Sequence, residues 1–368
     1  MALKAVCLLL AASGIVAAAE LPRPASAELC GDCHRAIHEG WKRSAHARAM
    51  TSRLFQDALK LAESELGVSV RRICLSCHSP MSLRLGDLGL KRKVSWEGVS
   101  CDHCHSVESV RKEGANFVAV VNVTDVKSGP SRDAASTAHR TVYSEVHRNS
   151  EICAPCHQYR NKLGLDVLTT YSEWLESSAA KQGRQCQDCH MYRVRGDVVD
   201  PRIKRVEATQ INLHEMPGAH SLAQLNKAVR ARLDVERADD ELVVKLRVAN
   251  RTGAHFVPTG SPLRQLIIEL KVNPYEGATR HETLRYRRVV ADSSGKEIRR
   301  EHLVFVRGAK VLSDSRLAPS ETRTETFRFP IPRNVKVDVE AALWYYYSPL
   351  ETLEARKVKF HTVSKFVP

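Results

Sequence analysis

The carboxy-terminal part of the chain alternates apolar and polar residues in short runs, and this pattern predicts β-strands. Turn-forming sequences separate the runs, among them 250–253, 292–295 and 318–320. Regularly spaced short strands are typical of a β-sandwich, so we predict an immunoglobulin-like sandwich at residues 223–368. A connecting helix is predicted at 221–233, and residues 351–368 fit no element. The predicted strands are 241–248, 263–272, 284–290, 297–305, 322–329 and 335–347.

The amino-terminal part has a different pattern. Apolar residues recur at helical spacing in 35–50, 52–66 and 170–181, a strand is predicted at 116–123, and the polar stretch 127–136 reads as a loop. These elements are short and the connections between them are long. We therefore predict an α+β multidomain protein: a mostly helical and irregular domain at 28–222, followed by the β-sandwich.

The first 27 residues resemble a secretory signal peptide. A basic start precedes an apolar run at 5–19, and small residues then offer cleavage after Ala19 or after Ala27. No later stretch approaches the roughly 20 apolar residues that a membrane span needs. We expect a periplasmic or extracellular protein, soluble or peripherally associated with a membrane; an uncleaved amino-terminal anchor is the alternative.

One motif, Cys-x-x-Cys-His, occurs five times in the first half of the chain, at 30–34, 74–78, 101–105, 153–157 and 186–190. This spacing is that of c-type haem attachment, in which each cysteine forms a thioether and the histidine ligates the iron. Five covalently attached c-type haems are therefore expected. The predicted thioether cysteines are Cys30, Cys33, Cys74, Cys77, Cys101, Cys104, Cys153, Cys156, Cys186 and Cys189. The predicted proximal ligands are His34, His78, His105, His157 and His190.

Other chemistries explain the motifs less well. With 11 cysteines and 16 histidines in 368 residues, chance predicts roughly 0.014 such motifs. Zinc sites and disulfides use paired cysteines as well, but neither requires a histidine directly after every pair. Ten of the eleven cysteines lie in the motifs, and the eleventh, Cys7, lies in the predicted signal peptide.

Charge alone favours an acidic partner, because the formal net charge is +14. The haem propionates change this picture: with five ferric haems and the leader removed, the charge falls to about +8. Many basic side chains are expected to neutralise propionates. We therefore expect no nucleic-acid partner, and a modest basic surface that steers acidic redox proteins.

The chain holds enough further histidines to supply a second axial ligand to every iron. Imidazole suits iron, and electron-transfer haems commonly carry a sixth ligand. His38 is expected to pack near the first haem, His103 is poorly placed inside a motif, and surface positions are expected for His281, His302 and His361. The candidates for the five distal positions are His46, His139, His147, His214, His220 and His255.

Several segments resemble the cytochrome c-554 and hydroxylamine oxidoreductase superfamily of multihaem c-type cytochromes. They are the Trp-x-x-Ser-x-His sequence that ends at His46, the segments 96–100 and 139–157, and the stretch from 170 to 191. The resemblance covers roughly 28–220. It implies haems packed in stacked and perpendicular pairs, with His46 distal to a haem other than the first. The β domain resembles one attached to some of these cytochromes, where the pattern at 253–260 matches.

Three functions are compatible with these features. The first is electron transfer between redox partners such as quinol-linked or soluble cytochromes and reductases. The second is a haem enzyme of nitrogen or sulfur metabolism with one open iron, of the hydroxylamine oxidoreductase or nitrite reductase type. All five motifs end in histidine, whereas nitrite reductases often carry lysine at the open haem. The third is a homo-oligomer or a subunit of an extracellular cytochrome filament.

Overall fold

The structure is a computed structural model that describes residues 24–204, 209–347 and 357–368. Residues 1–23 of the predicted leader, and its first cleavage point after Ala19, lie outside these residues. Among the described helices, none is long and apolar enough to cross a membrane. Two regions with different architecture follow one another along the chain, which confirms the α+β multidomain fold.

Short helices dominate the amino-terminal region, and each Cys-x-x-Cys-His motif lies on one or at its end. The predicted helix at 52–66 is present, that at 170–181 is divided in two, and that at 35–50 ends at Arg43, where Ser44 turns to extended backbone. The helices are α1 Ala27–Cys33, α2 Arg35–Arg43, α3 Arg53–Leu66, α4 Arg71–His78, α5 Pro80–Arg84, α6 Cys101–Cys104, α7 Ala154–His157, α8 Thr170–Leu175, α9 Ser178–Lys181 and α10 Cys186–His190.

Four two-stranded ribbons connect these helices. The predicted strand at 116–123 is β2, while the predicted loop at 127–136 begins inside β3 and continues as exposed chain. The strands are β1 Val107–Glu113, β2 Asn116–Val121, β3 Val126–Gly129, β4 Arg140–Tyr143, β5 Tyr159–Arg160, β6 Asp166–Leu168, β7 Arg193–Gly196 and β8 Thr209–Asn212. They pair in order along the chain, and only β3 with β4 is parallel.

Two antiparallel sheets form the carboxy-terminal sandwich. The first has the order β14-β10-β9 and the second the order β13-β12-β11-β15-β16. The elements are α11 Leu222–Ala228, β9 Val229–Ala238, β10 Glu241–Asn250, β11 Gln265–Pro274, β12 Arg280–Ala291, α12 Glu301–Arg307, β13 Lys310–Asp314, β14 Thr322–Pro330, β15 Val337–Tyr346 and β16 Lys357–Val367.

Alternating residues of both sheets fill one core. Leu242, Val244 and Leu246 of β10 face Leu266 and Ile268 of β11, and all five are fully buried. Period-two burial of this kind is what made the strands recognisable in the sequence. The stretch left without an element contains β16, which pairs with β15.

Three predictions in this domain are wrong. The predicted strand 297–305 is largely helix α12, because Val304 packs with Val290 and Ile298, and tertiary packing outweighs the strand preference of its β-branched residues. The predicted helix 221–233 is α11 followed by strand β9. His302, expected at the surface, is buried in α12 beside Glu65 of α3.

Candidate haem-binding site

The five motifs lie close together at the ends of short helices, and all ten of their cysteines are unbridged. No group of three or more His, Cys, Asp and Glu side chains suited to a metal ion occurs among the described residues. The two cysteines of every motif are free thiols, as covalent attachment of one haem per motif needs.

Four motif histidines are anchored in the same way. In each, Nδ1 lies within hydrogen-bond distance of a backbone carbonyl, so that Nδ1–H donates and Nε2 is left to bind a metal. The distance to the oxygen is 2.6 Å for His34, 3.0 Å for His78 and 2.7 Å for both His105 and His190. The accepting carbonyls belong to Val198, Ala49, Ser128 and Pro217, respectively.

Four motif histidines also face a second histidine at a spacing that fits an iron. Two imidazole nitrogens bound to one metal at about 2 Å each place the ring centroids roughly 6.3 Å apart. The centroid distances are 6.1 Å for His34–His139, 6.3 Å for His46–His157, and 6.4 Å for both His105–His214 and His190–His255. The side chains therefore fit bis-histidine haems, with the iron between the two rings.

His105 has two histidine neighbours, and hydrogen bonding separates them. His214 lies at 6.4 Å and directs Nδ1 to the Asn212 carbonyl at 2.7 Å, so its Nε2 is available. His147 lies at 5.7 Å, but its Nε2 is 2.9 Å from the Cys104 carbonyl. His214 is therefore better disposed to complete this iron, and His147 packs beside the site. The spacing of the two histidines in the sequence does not reveal this difference.

His78 differs from the other motif histidines. Its ring stacks on Phe55 at 3.8 Å, and none of the described ring contacts joins it to a second histidine. The remaining candidate, His220, stacks on Tyr347 at 4.8 Å. Arg264 is an electrostatic neighbour of both histidines. The second axial position of this haem is the one that the ring geometry leaves unassigned.

Desolvation favours the neutral form of three facing histidines, which is the form that binds a metal. It lowers the pKa of His46 to about 4 and that of His214 to about 4. It also lowers the pKa of His157 to about 3, although this side chain is partly exposed. These rings would not need to lose a proton before ligation near neutral pH.

Contacts between cysteines show which motifs are neighbours. Cys30 of the first motif lies beside Cys101 of the third, Cys77 of the second beside Cys156 of the fourth, and Cys186 of the fifth beside Cys153 of the fourth, and within each of these pairs the thiols shift each other's pKa. The third motif also approaches the fourth, since Cys104 is an electrostatic neighbour of Cys153 and Cys156. The fourth motif is therefore a junction that touches the second, third and fifth, while the first is reached through the third.

The β domain contributes His255 through a loop that the amino-terminal region holds in place. Glu173 of α8 is buried and accepts hydrogen bonds from the Phe256 amide at 3.1 Å and the Thr259 hydroxyl at 2.7 Å. Buried Arg316 donates to the same carboxylate at 2.8 Å. Burial raises the pKa of Glu173, but Arg316 and the hydroxyl hydrogen bonds outweigh it and leave the pKa below its usual range.

Local sequence features explain how the first motifs are shaped. A side chain at Gly31 would collide with the His38 ring at 2.7 Å, and one at Gly98 with the His46 carbonyl at 2.2 Å. Gly98 also has a positive φ of 70°, which favours glycine. The 96–100 segment thus presses directly against the backbone of His46, where Val99 donates to the His46 carbonyl at 3.0 Å.

Comparison with known proteins gives consistent results. The family model "Cytochrome c554 and c-prime" matches residues 29–106. A penta-haem cytochrome c552 from Thermochromatium tepidum superposes with a TM-score of 0.71 at 20% identity, covering 93% of this chain and 98% of that one. A superoxide reductase from Nanoarchaeum equitans covers 39% of this chain and 94% of its own at 9% identity, and its TM-score of 0.20 supports no argument. No curated protein matches.

Proposed function

We propose that this chain is a multihaem c-type cytochrome that transfers electrons along five covalently attached haems held largely by paired histidines. The similar solved structure is described as penta-haem, and the present chain carries five attachment motifs. Each motif would supply two thioether sulfurs and one iron ligand. The protein's part is to hold the haems together and to set their potentials through ligation, burial and charge.

The observation that carries the proposal is the set of four histidine pairs at 6.1–6.4 Å. Two protein ligands saturate an iron, so small molecules cannot coordinate it without displacing one of them. The iron can then change oxidation state with little change of geometry. Because the motifs also contact one another through their cysteines, neighbouring macrocycles would lie close enough to exchange electrons.

Histidine replacement tests this ligation. His214→Ala should convert one low-spin ferric haem to high spin, which electron paramagnetic resonance (EPR) and the visible spectrum detect. His147→Ala is the matched control, because its ring lies even closer to His105, at 5.7 Å, but its Nε2 is occupied by the Cys104 carbonyl. A spectrum that changes with His147→Ala and not with His214→Ala would overturn the pairing. His46→Ala should likewise open one further haem.

A haem enzyme is the second candidate, and His78 favours it. This histidine has no described histidine partner at ligand spacing, and Arg264 lies in electrostatic reach. If this iron is open, one haem in five is high spin and binds cyanide or nitric oxide, and His220→Ala leaves the spectrum unchanged. If His220 is the ligand, the wild type is fully low spin and His220→Ala creates the high-spin signal.

The proposal also covers the cellular location, the redox partners and the assembly of the protein. Cytochromes of this type receive haem outside the cytoplasm, so we propose a periplasmic or extracellular location reached through a cleaved signal peptide. Quinol-linked or soluble cytochromes and reductases would be the redox partners. In a filament, a histidine of one copy would ligate the iron of the next. Size measurement together with the EPR spectrum tests this, because an isolated monomer with all five haems low spin would exclude it.

A further inference from the structure

The environment of Nδ1 distinguishes one histidine pair from the other three. In those three, both rings place Nδ1 beside a backbone carbonyl oxygen. For the distal members, the distances are 3.1 Å from His139 to Arg140, 2.7 Å from His214 to Asn212, and 3.0 Å from His255 to Phe256. Together with His34, His105 and His190, this gives six rings with an oxygen acceptor.

The pair of the fourth motif has no such acceptor. His46 directs Nδ1 to the thioether sulfur of Met216 at 2.9 Å, and none of the hydrogen bonds found in the described part of the chain involves the His157 ring. A thioether is a weak acceptor compared with a carbonyl. The six rings in the pairs of the first, third and fifth motifs are therefore bound more strongly at Nδ1 than the rings of His46 and His157.

This difference changes how well the rings donate electrons to a metal. A carbonyl that accepts Nδ1–H makes the imidazole more basic, and a more basic ligand stabilises the ferric state. Where the only acceptor of Nδ1–H is a sulfur atom, the imidazole is less basic. The ferric state is then less stabilised, and the midpoint potential of the haem rises. Arg264, an electrostatic neighbour of His157, acts in the same direction, since a cation disfavours the more positive ferric state.

We propose that, among the four haems held by facing histidines, the haem of His46 and His157 has the highest midpoint potential, and that Met216 sets that potential by replacing an oxygen acceptor with sulfur. The inference rests on the proposed bis-histidine ligation. Because the fourth motif lies next to the second, third and fifth, an electron shared among these four haems would reside first at the junction. The haem of the fourth motif would then receive electrons from one neighbouring haem before they pass to another.

The test is a redox titration followed by EPR. The His46 and His157 rings are inclined by 54°, against 44°, 24° and 22° for the other pairs. The relative orientation of axial imidazoles alters the g values of low-spin ferric haem, so this haem has a signal of its own. In the wild type we expect this signal to disappear before those of the other three pairs as the protein is reduced. If the signal of another pair disappears first, the proposal is wrong.

Met216→Gln gives the second measurement, because the side chain keeps its length and offers an amide oxygen, one atom beyond the position of the sulfur, as an acceptor. We expect the potential of this one haem to fall while the other haems keep their potentials and every haem keeps its wild-type spin state. Met216→Leu is the matched control: it removes the sulfur without offering an oxygen, so the potential should stay or rise. A Gln variant whose titration equals that of wild type, or shifts upward, overturns the role of Met216.

Failure of this inference and failure of the ligation give different results. If His46 is not a ligand, His46→Ala leaves the low-spin spectrum intact, and the proposed function loses one pair. If His46→Ala opens one haem but Met216→Gln moves no potential, the pair stands and only the inference falls.

Discussion

The motif region and the β-sandwich differ in how much apolar side-chain surface they bury in a core. In the sandwich, Leu246, Ile268 and Leu343 belong to one apolar cluster that runs through both sheets. In the motif region, the comparable cluster consists of Met50, Phe55, Leu59 and Leu75, with a few partly buried neighbours. The first half thus depends on something other than its own side chains for a core.

The difference shows what covalent cofactors replace. Residues 28–220 form short helices of four to fourteen residues, too short to persist without tertiary contacts. Macrocycles tied to ten cysteines would bury apolar surface between these helices and clamp them through paired histidines. The sandwich needs no such help, since its sheets pack against each other.

Removing haem should produce the largest effect. If the chain is made without residues 1–19, in a compartment where haem is not attached, we expect residues 24–212 to be unfolded and the sandwich to remain folded. Hydrogen exchange measures this directly: amides of β10, β11 and β15 stay protected while those of α1 to α10 exchange rapidly. Protected helices in the haem-free chain would contradict the comparison; the haem-loaded protein is the control.

A large-to-small change in the sandwich core should come next. Ile268 is fully buried on the central strand β11, so Ile268→Ala should lower the free energy of unfolding by about 2–5 kcal/mol. Lys271→Ala, on the exposed face of the same strand, should change it by less than about 0.5 kcal/mol. Denaturant titration of the sandwich distinguishes the two, and equal effects would show that β11 is not a core strand.

The connection between the halves is tested by Glu173→Gln. Removing one partner of a buried ion pair commonly costs about 3–5 kcal/mol, and Arg316 keeps Asp314, so about 3 kcal/mol is expected. Because the His255 loop loses its anchor, part of one haem should turn high spin. Glu176→Gln, an exposed neighbour at the end of α8, should leave both properties unchanged.

The pH dependence of this connection has a definite sign. Since the pKa of Glu173 is lowered on folding, its contribution is present above the unfolded-state value and is lost as the pH falls through the folded-state value. Acid titration should therefore separate wild type from Glu173→Gln at neutral pH and bring their stabilities together in acid. A gap that stays constant would mean that the carboxylate charge contributes nothing.

The smallest effect concerns Glu97, which accepts a hydrogen bond from the Ala27 amide at 2.9 Å. Burial raises its pKa to about 7. A raised carboxyl pKa contributes stability below the unfolded-state value, and this is lost as pH rises through 7. Glu97→Gln should remove this part of the decline, and exposed Glu39→Gln should not. Thermal unfolding between pH 5 and 8 measures it; parallel curves for wild type and Glu97→Gln would refute the assignment.

Some of these features could be predicted from sequence and some could not. The attachment motifs and the alternating strands β10, β11 and β14 are local patterns, so one sequence suffices to find them. Helix α12 was predicted as a strand because its fold is decided by packing on α3 and on Val290, which no local pattern reveals. The same holds for the opposing histidines: His139 lies far from His34 in the chain, and only tertiary structure brings their rings together.

The sequence could not distinguish a distal iron ligand from a neighbouring histidine that packs beside the site. His147 and His214 were equal candidates for the distal positions, and the difference between them is a single hydrogen bond from His147 to the Cys104 carbonyl. The 253–260 loop was recognisable as a possible ligand carrier, but Glu173, which holds it, carried no signal except its place in a helix. Ligand donors can be guessed from residue type, whereas their anchors require the fold.

The position of His255 has a consequence for biogenesis. It lies in the part of the chain that is synthesised last, yet it faces His190 of a motif made earlier. On the proposed ligation, attachment of haem at the fifth motif would need only local thiols, but its axial closure would wait until the sandwich has emerged and docked through Glu173. A prematurely ended chain would then leave that iron exposed to solvent and oxygen, so completion of the last domain would act as a check on the whole polypeptide.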